Sequence, residues 1–149
     1  MPLNQIHLRQ AQEDDLMFLF AVSTRAMSPV SEIIDADKII DQKRRFEEYK
    51  LAFDPNKIQV IVFDGQDIGR LRVVHRDGEI YVGGIQILPE YQSRGVGTYI
   101  FNQLIDQVTK TKKTIVLEVH KVNMRAISFY KKLGFTVESE NDNQLIMRK

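Results

Sequence analysis

The chain has no cysteine, no tryptophan, only four prolines and a formal net charge of +1. Without cysteine there are no disulfides, no thiolate metal sites and no cysteine nucleophile to carry an acyl group. A net charge near zero, with no long run of one sign, gives no electrostatic reason to expect nucleic acid or a membrane surface as partner. No apolar stretch approaches the ~20 residues that span a bilayer. Met1-Pro2-Leu3-Asn4 opens without the basic segment and apolar run of a secretory signal, so a cytoplasmic protein is expected. What is present is ordinary for a globular chain: 149 residues, 43% hydrophobic and 28% charged. That is enough for one domain, residues 1–149, built around one core. There are no repeats, linkers or low-complexity tracts.

Gln5 to Arg9 alternates as a short strand. Glu13-Asp14-Asp15 suits the positive end of a helix dipole, and a helix is expected from about Glu13 to Met27. Pro29 stops it. Asp35 or Asp37 can cap a second helix through about Lys50. Lys43-Arg44-Arg45 is matched by Glu47 and Glu48 at i,i+4 spacing, which reads as a solvated helix face. After Asp54-Pro55-Asn56 the period changes to two. Ile58–Val62, Ile68–Val74 and Glu79–Leu88 read as strands joined by Asp64-Gly65-Gln66 and Asp77-Gly78, the second a strong hairpin signal. Gly83-Gly84 inside the third of these strands marks a bulge or a close approach to the backbone.

The stretch from Tyr81 to Val108 organises the rest. A strand ending in Leu88-Pro89 runs into Gln92-Ser93-Arg94-Gly95-Val96-Gly97, and from Thr98 the apolar residues Ile100, Phe101, Leu104, Ile105 and Val108 recur at helical spacing. The first amides of a helix have no partner within it, and the dipole adds positive charge at the same end. Glycines there let a phosphate approach the backbone. The loop is not a Gly-x-x-x-x-Gly-Lys-Ser/Thr nucleotide loop, nor Gly-x-Gly-x-x-Gly, because residue 100 is Ile. On this stretch alone, a phosphate cradle and a turn that merely caps a helix both stand. Beyond it, Thr114–His120 is a β-branched core strand, so the order strand, loop-helix, strand implies a right-handed crossover and a parallel pair. Asn123–Leu133 is a short helix ended by Gly134. Phe135–Glu138 and Gln144–Met147 form a last hairpin.

Gln92-x-Arg94-Gly95-x-Gly97 after a strand ending in Leu-Pro resembles motif A of the GNAT superfamily of acetyl-CoA-dependent N-acetyltransferases. Asn123-x-x-Ala126-x-x-Phe129-Tyr130-x-Lys132-x-Gly134-Phe135 resembles motif B of the same family. The resemblance spans essentially the whole chain. It implies an α/β fold of the α+β type, with a mixed, mostly antiparallel sheet of about seven strands flanked by about four helices. It further implies a V-shaped opening between the fourth and fifth strands, and acetyl transfer to a primary amine by direct attack in a ternary complex. Acetyl-CoA is the implied co-substrate, with no metal. An acyl-CoA-binding sensor without turnover is the alternative of another class. The acceptor, a small-molecule or peptide amine, is expected near Met27–Ile34 and the end of the Thr114–His120 strand. A monomer or homodimer is expected.

The resemblance also implies roles. The backbone of Gln92, Ser93, Arg94, Gly95, Val96, Gly97 and Thr98 cradles the pyrophosphate, with the Gln92 and Arg94 side chains adding to it. The pantetheine arm lies along Ile85–Leu88, where the Ile87 N–H can polarise the thioester carbonyl. Asn123 orients that arm, and Phe129 belongs to the same cofactor-binding set. Tyr130 is the acid for the departing thiolate. A free phenol has pKa near 10 and a thiol ~8.5, so full proton transfer is uphill by about 2 kcal/mol. Tyr130 must therefore either hydrogen-bond the thiolate as it forms or have a lowered pKa. Glu118, five residues before Asn123, matches a glutamate base in the branch that acetylates protein N-termini. His120 is its reserve.

Overall fold

In a computed structural model, which describes residues 5–24 and 42–149, seven strands form one sheet in the order β1-β2-β3-β4-β5-β7-β6. They are β1 (Ile6–Gln10), β2 (Ile58–Phe63), β3 (Gln66–Arg76), β4 (Glu79–Ile87), β5 (Thr114–His120), β6 (Thr136–Glu140) and β7 (Gln144–Arg148). Every pairing is antiparallel except β4 with β5. The helices are α1 (residues 16–24), α2 (Gln42–Ala52), α3 (Val96–Thr111) and α4 (Met124–Lys132). The architecture is the mixed, mostly antiparallel α+β sheet expected from the motifs.

Local chemistry explains the connections. Asp64 and Gly65 both take positive φ, 48° and 77°, in the β2–β3 turn, and Gly78 (φ 75°) closes the β3–β4 hairpin. Gly134 (φ 100°) ends α4 in the left-handed region. Two boundaries differ from expectation. Glu13–Asp15 is a 3-10 turn, and the α-helix starts only at residue 16. The loop helix starts at Val96 rather than Thr98, because the glycine at 95 supplies the cap conformation earlier. The expected caps Asp35 and Asp37, and the stretch Met27–Ile34, lie outside the described residues.

The sheet separates two apolar layers. On one face Ile61, Ile68, Leu71, Ile80, Val82, Ile115, Leu117 and Val119 pack against Ile100, Phe101, Leu104 and Val108 of α3 and Ile127 of α4. On the other, Ile58, Val60 and Val62 meet Leu19 of α1 and Tyr49 of α2. The aromatic contacts Phe20–Phe46 (5.2 Å) and Phe20–Tyr49 (5.4 Å) tie α1 to α2.

Between β4 and β5 the sheet opens. The parallel pairing runs from Glu79↔Thr114 to Val82↔Leu117 and stops, although β4 continues to Ile87 and β5 to His120. The cause lies on the other edge of β4. There Arg72 pairs with Gly84 and Val73 with Val82, so Gly83 is an extra residue, a β-bulge. The bulge also shifts the alternation. Ile80 and Val82 face α3, and beyond the bulge Ile85 and Ile87 pack on that same core, three residues on from Val82 instead of two.

A charged network holds the first strand to the sheet. Arg9 of β1 donates to both oxygens of Asp15 (2.9 and 2.8 Å) and to Asp67 of β3 (2.9 Å). Asp15 Oδ2 also accepts the Gln12 N–H at 2.8 Å. Asp15 is buried. The hydrogen bonds from Arg9, helped by the Gln12 amide and opposed by burial, hold its carboxyl below the usual range. A depressed carboxyl pKa stabilises the fold above the unfolded pKa near 3.9, and that contribution is lost as pH falls through the folded value. Asp15→Asn is therefore expected to cost about 1–3 kcal/mol at pH 7. Urea unfolding checks this, with the gap to wild type shrinking below about pH 4.

Candidate active site

The bulge, the β4 end and the loop before α3 meet at one place. Leu88 N–H donates to the Ile68 carbonyl on β3 (2.8 Å). Successive residues of a strand turn their backbone groups to opposite edges, so the N–H groups of Ile87 and Ile85 face the opened side, toward β5. The Ile87 carbonyl on that edge accepts the Gln92 side-chain amide at 2.8 Å. Gln92 thus ties the strand end to the loop. Its side chain works within the protein, not as an outward-reaching group.

The loop curls through two left-handed residues, Ser93 (φ 61°) and Gly95 (φ 87°). Gly95 is the N-cap of α3 and has no side chain to bond the first amides. The first helical bond runs from the Tyr99 N–H to the Gly95 carbonyl (3.0 Å). The amides of Val96, Gly97 and Thr98 precede that ladder and, among the described residues, have no acceptor, at the positive end of a helix sixteen residues long. Gly97, expected beside Gly95 to let a phosphate approach, has a second reason to be glycine. A Cβ there would stand 3.3 Å from the Phe129 ring and 3.8 Å from Ile87 Cδ1, so its absence lets α3 and α4 close on the end of β4.

Arg94 is exposed, with its guanidinium over the Tyr91 ring at 5.5 Å. A second arginine, unremarked in the sequence, reaches the same loop. Arg125, in the first turn of α4, donates to Ser93 Oγ (2.5 Å) and Gln92 Oε1 (3.3 Å). Only its position two residues after the Asn123 cap hints at this, since nothing in the sequence says which way that helix points. Asn123 itself caps α4, its Oδ1 accepting the Ala126 N–H at 3.2 Å. Its expected role toward the arm is left to the Nδ2 donor.

Tyr130 is buried, its ring edge-on to Phe101 (5.4 Å), Phe129 (5.4 Å) and Phe135 (5.7 Å). Its hydroxyl makes no hydrogen bond among the described residues. Burial pushes the phenol up to about 12, so the lowered pKa allowed for it does not arise. On β5, Ile115, Leu117 and Val119 face α3, so by alternation Glu118 and His120 face the α1–α2 side. Glu118 is exposed there, while His120 is half-buried.

The acetyltransferase (GNAT) family model matches residues 27–135 of this chain. The chain belongs to that family. Spermidine N(1)-acetyltransferase of Escherichia coli K12 is 26% identical over 151 residues, covering 92% of this chain and 76% of that protein. The fold is shared with the PaiA N-acetyltransferase of Thermoplasma acidophilum, solved with coenzyme A (TM-score 0.76, 20% identity, 97% of this chain and 98% of that one). It is shared also with Arabidopsis thaliana Naa50 bound to the bisubstrate analogue CoA-Ac-MVNAL (TM-score 0.63, 19% identity, 97% and 98%). The activity of this GNAT chain is N-acetyl transfer from acetyl-CoA to an amine. Among the described residues no helix is long and apolar enough to cross a membrane, and no cluster of His, Cys, Asp or Glu forms a metal site.

Gly95→Ala forces an L side chain to φ 87° and is expected to cost about 1–2 kcal/mol. Urea unfolding of the ligand-free protein checks this, and a cost near zero would mean that the loop does not hold this turn in solution.

Proposed function

We propose that the acetyl group passes directly from acetyl-CoA to the amine within a ternary complex, along the opened edge of β4. The observation that carries this reading is that β4–β5 pairing stops at Val82 and Leu117 while both strands run on. An extended arm laid along β4 would satisfy backbone groups that no strand satisfies. The free amides of Val96, Gly97 and Thr98, with Ser93 and Gly95 shaping the loop, form the diphosphate cradle. Arg94 and Arg125 supply its cationic side chains, while Gln92 braces the cradle against Ile87. The Ile87 N–H, on the opened edge, polarises the thioester carbonyl, and Ile85 binds the arm beside it. With no cysteine in the chain, no thioester can form on the protein. Attack by the amine breaks the carbon–sulfur bond as the carbon–nitrogen bond forms, and the thiolate departs.

Tyr130 donates a hydrogen bond to that thiolate and keeps its proton. Moving a proton from a phenol at about 12 to a thiolate at ~8.5 would be uphill by about 5 kcal/mol, so donation without transfer is the economical role. Phe129, packed near Gly97, holds the ring's helix against the loop, while Asn123 caps that helix and turns its Nδ2 to the arm. The acceptor approaches β4 from the α1–α2 face, where Glu118 is exposed and accepts the amine's proton, with His120 two residues on. A lysine-like ammonium at pH 7 costs about 4–5 kcal/mol to deprotonate, and a positioned carboxylate recovers part of this.

Tyr130→Phe is expected to lower kcat about ten- to a hundredfold. Because the phenol stays protonated below about pH 12, the factor should be constant from roughly pH 6 to 10. Thiol release over that range is the check, and an alkaline limb lost in the variant would contradict the role. Glu118→Gln should lower the rate mainly at low pH, where most of the amine carries its proton. An unchanged pH profile would remove Glu118 as the base.

A further inference from the structure

On the face of the sheet opposite α3 lies a cavity of about 260 Å³ lined by Tyr49, Phe53, Asp54, Lys57, Arg70 and Arg72, among others. Arg70 and Arg72 stand two apart on β3, so both leave the sheet on this face. Register sets Arg70 opposite Gln86 and Arg72 opposite Gly84, the part of β4 that has parted from β5. Arg70 Nη1 donates to Gln86 Oε1 at 2.6 Å, which fixes the guanidinium in the cavity wall. Arg72 lies along β4, and a Cβ added at Gly83 would collide with its Nη1. The bulge glycine thus makes room for a cation on this face as well as opening the sheet.

These groups are poorly satisfied as they stand. Among the described residues, the buried Arg70 Nε and Tyr49 hydroxyl have no hydrogen-bond partner. Among the described residues neither Arg70 nor Arg72 forms an ion pair. Asp54, the carboxylate in the lining, is committed locally, accepting the Asn56 N–H (3.1 Å) and facing Lys57 at 3.9 Å. Burial, with the like charge of Arg72, lowers the Arg70 pKa from its ordinary value against the opposing effect of Tyr49. A buried cation with an idle donor is costly, and such groups gather where a ligand supplies the missing charge.

We propose that the Arg70–Arg72–Tyr49 pocket binds a carboxylate of the acceptor, so that the amine acetylated by this enzyme is one that carries an acid group. The inference rests on the reading that the acceptor reaches β4 from the α1–α2 face. Facing residues on paired strands are ~5 Å apart, so a carboxylate held on β3 leaves an amine a few bonds away at the opened edge of β4. A polyamine would set further cations beside two guanidinium groups, which works against its binding.

The test titrates succinate and succinamide into the full chain by calorimetry, with and without CoA, for wild type, Arg72→Gln and Tyr49→Phe. Tyr49→Phe removes only an unpartnered hydroxyl and so keeps the fold. Succinate is expected to bind and succinamide not. Affinity should fall about ten- to a hundredfold in Arg72→Gln and several-fold in Tyr49→Phe. Thiol release is then compared for phenylalanine, phenethylamine and spermidine. The acid-bearing amine should have the highest kcat/KM, and succinate should compete with it. The proposal is overturned if succinate does not bind, if it binds equally to all three proteins, if it inhibits without competing with the amine, or if phenethylamine or spermidine is the better acceptor. Failure of CoA to bind while succinate still does would count against the phosphate cradle and leave the carboxylate pocket standing.

Discussion

One extra residue in one strand sets the geometry of this enzyme. The bulge at Gly83 keeps β4 paired to β3 on one edge and frees it from β5 on the other. Without it the parallel ladder would continue past Val82, and the backbone of Ile85 and Ile87 would be consumed by the sheet. The same residue shifts the side-chain alternation, so that Ile85 and Ile87 still face the α3 core beyond the bend. A strand that simply frayed would lose both the packing and the fixed direction of its amides. Glycine suits the position because Arg72 crosses the space a side chain would need.

The freed edge is useful because its surroundings hold it still. Gln92 bonds the Ile87 carbonyl, Arg125 bonds Gln92 and Ser93, and Phe129 fits against Gly97. Strand end, loop and two helices are therefore locked to one another before any ligand arrives, which lowers the ordering cost of binding. The sheet also divides the labour. The α3 face gives the phosphate loop and the buried phenol of Tyr130. The α1–α2 face gives Glu118, His120 and the two arginines of β3. In the proposed reaction the donor and the acceptor approach one strand from its two sides, with the opening between β4 and β5 as the passage.

Much of this was legible in the residue order. Period-two and period-3.6 patterns, with Asp64-Gly65, Asp77-Gly78 and Gly134 as punctuation, located the described strands and helices to within a few residues. The paired glycines at 83 and 84 marked the bulge, because glycine inside a strand is costly unless something requires it. What stayed hidden depends on side-chain direction and on distance through space. Gly97, read as glycine for a ligand's sake, is also glycine for packing, which only the approach of Phe129 reveals. Asn123, expected to orient the arm, also caps a helix, a local bond that takes its Oδ1 and leaves Nδ2. Arg125 is 32 residues from Ser93 in sequence, and no local pattern links them. Tyr130 was open to a lowered pKa until its aromatic cage fixed the direction as upward. Arg70 and Arg72 drew no reading within the Ile68–Val74 strand, and only the neighbouring Tyr49 shows that one of them is enclosed.

If the edge of β4 beyond the bulge receives the coenzyme arm, its backbone amides leave solvent on binding. Amide hydrogen exchange, read residue by residue with and without CoA, tests it most directly. CoA is expected to slow exchange at Ile85, Ile87 and the Val96–Thr98 amides, while Ile80 and Val82, already in the ladder, stay unchanged. Bound CoA with no added protection at Ile85 and Ile87 would contradict it.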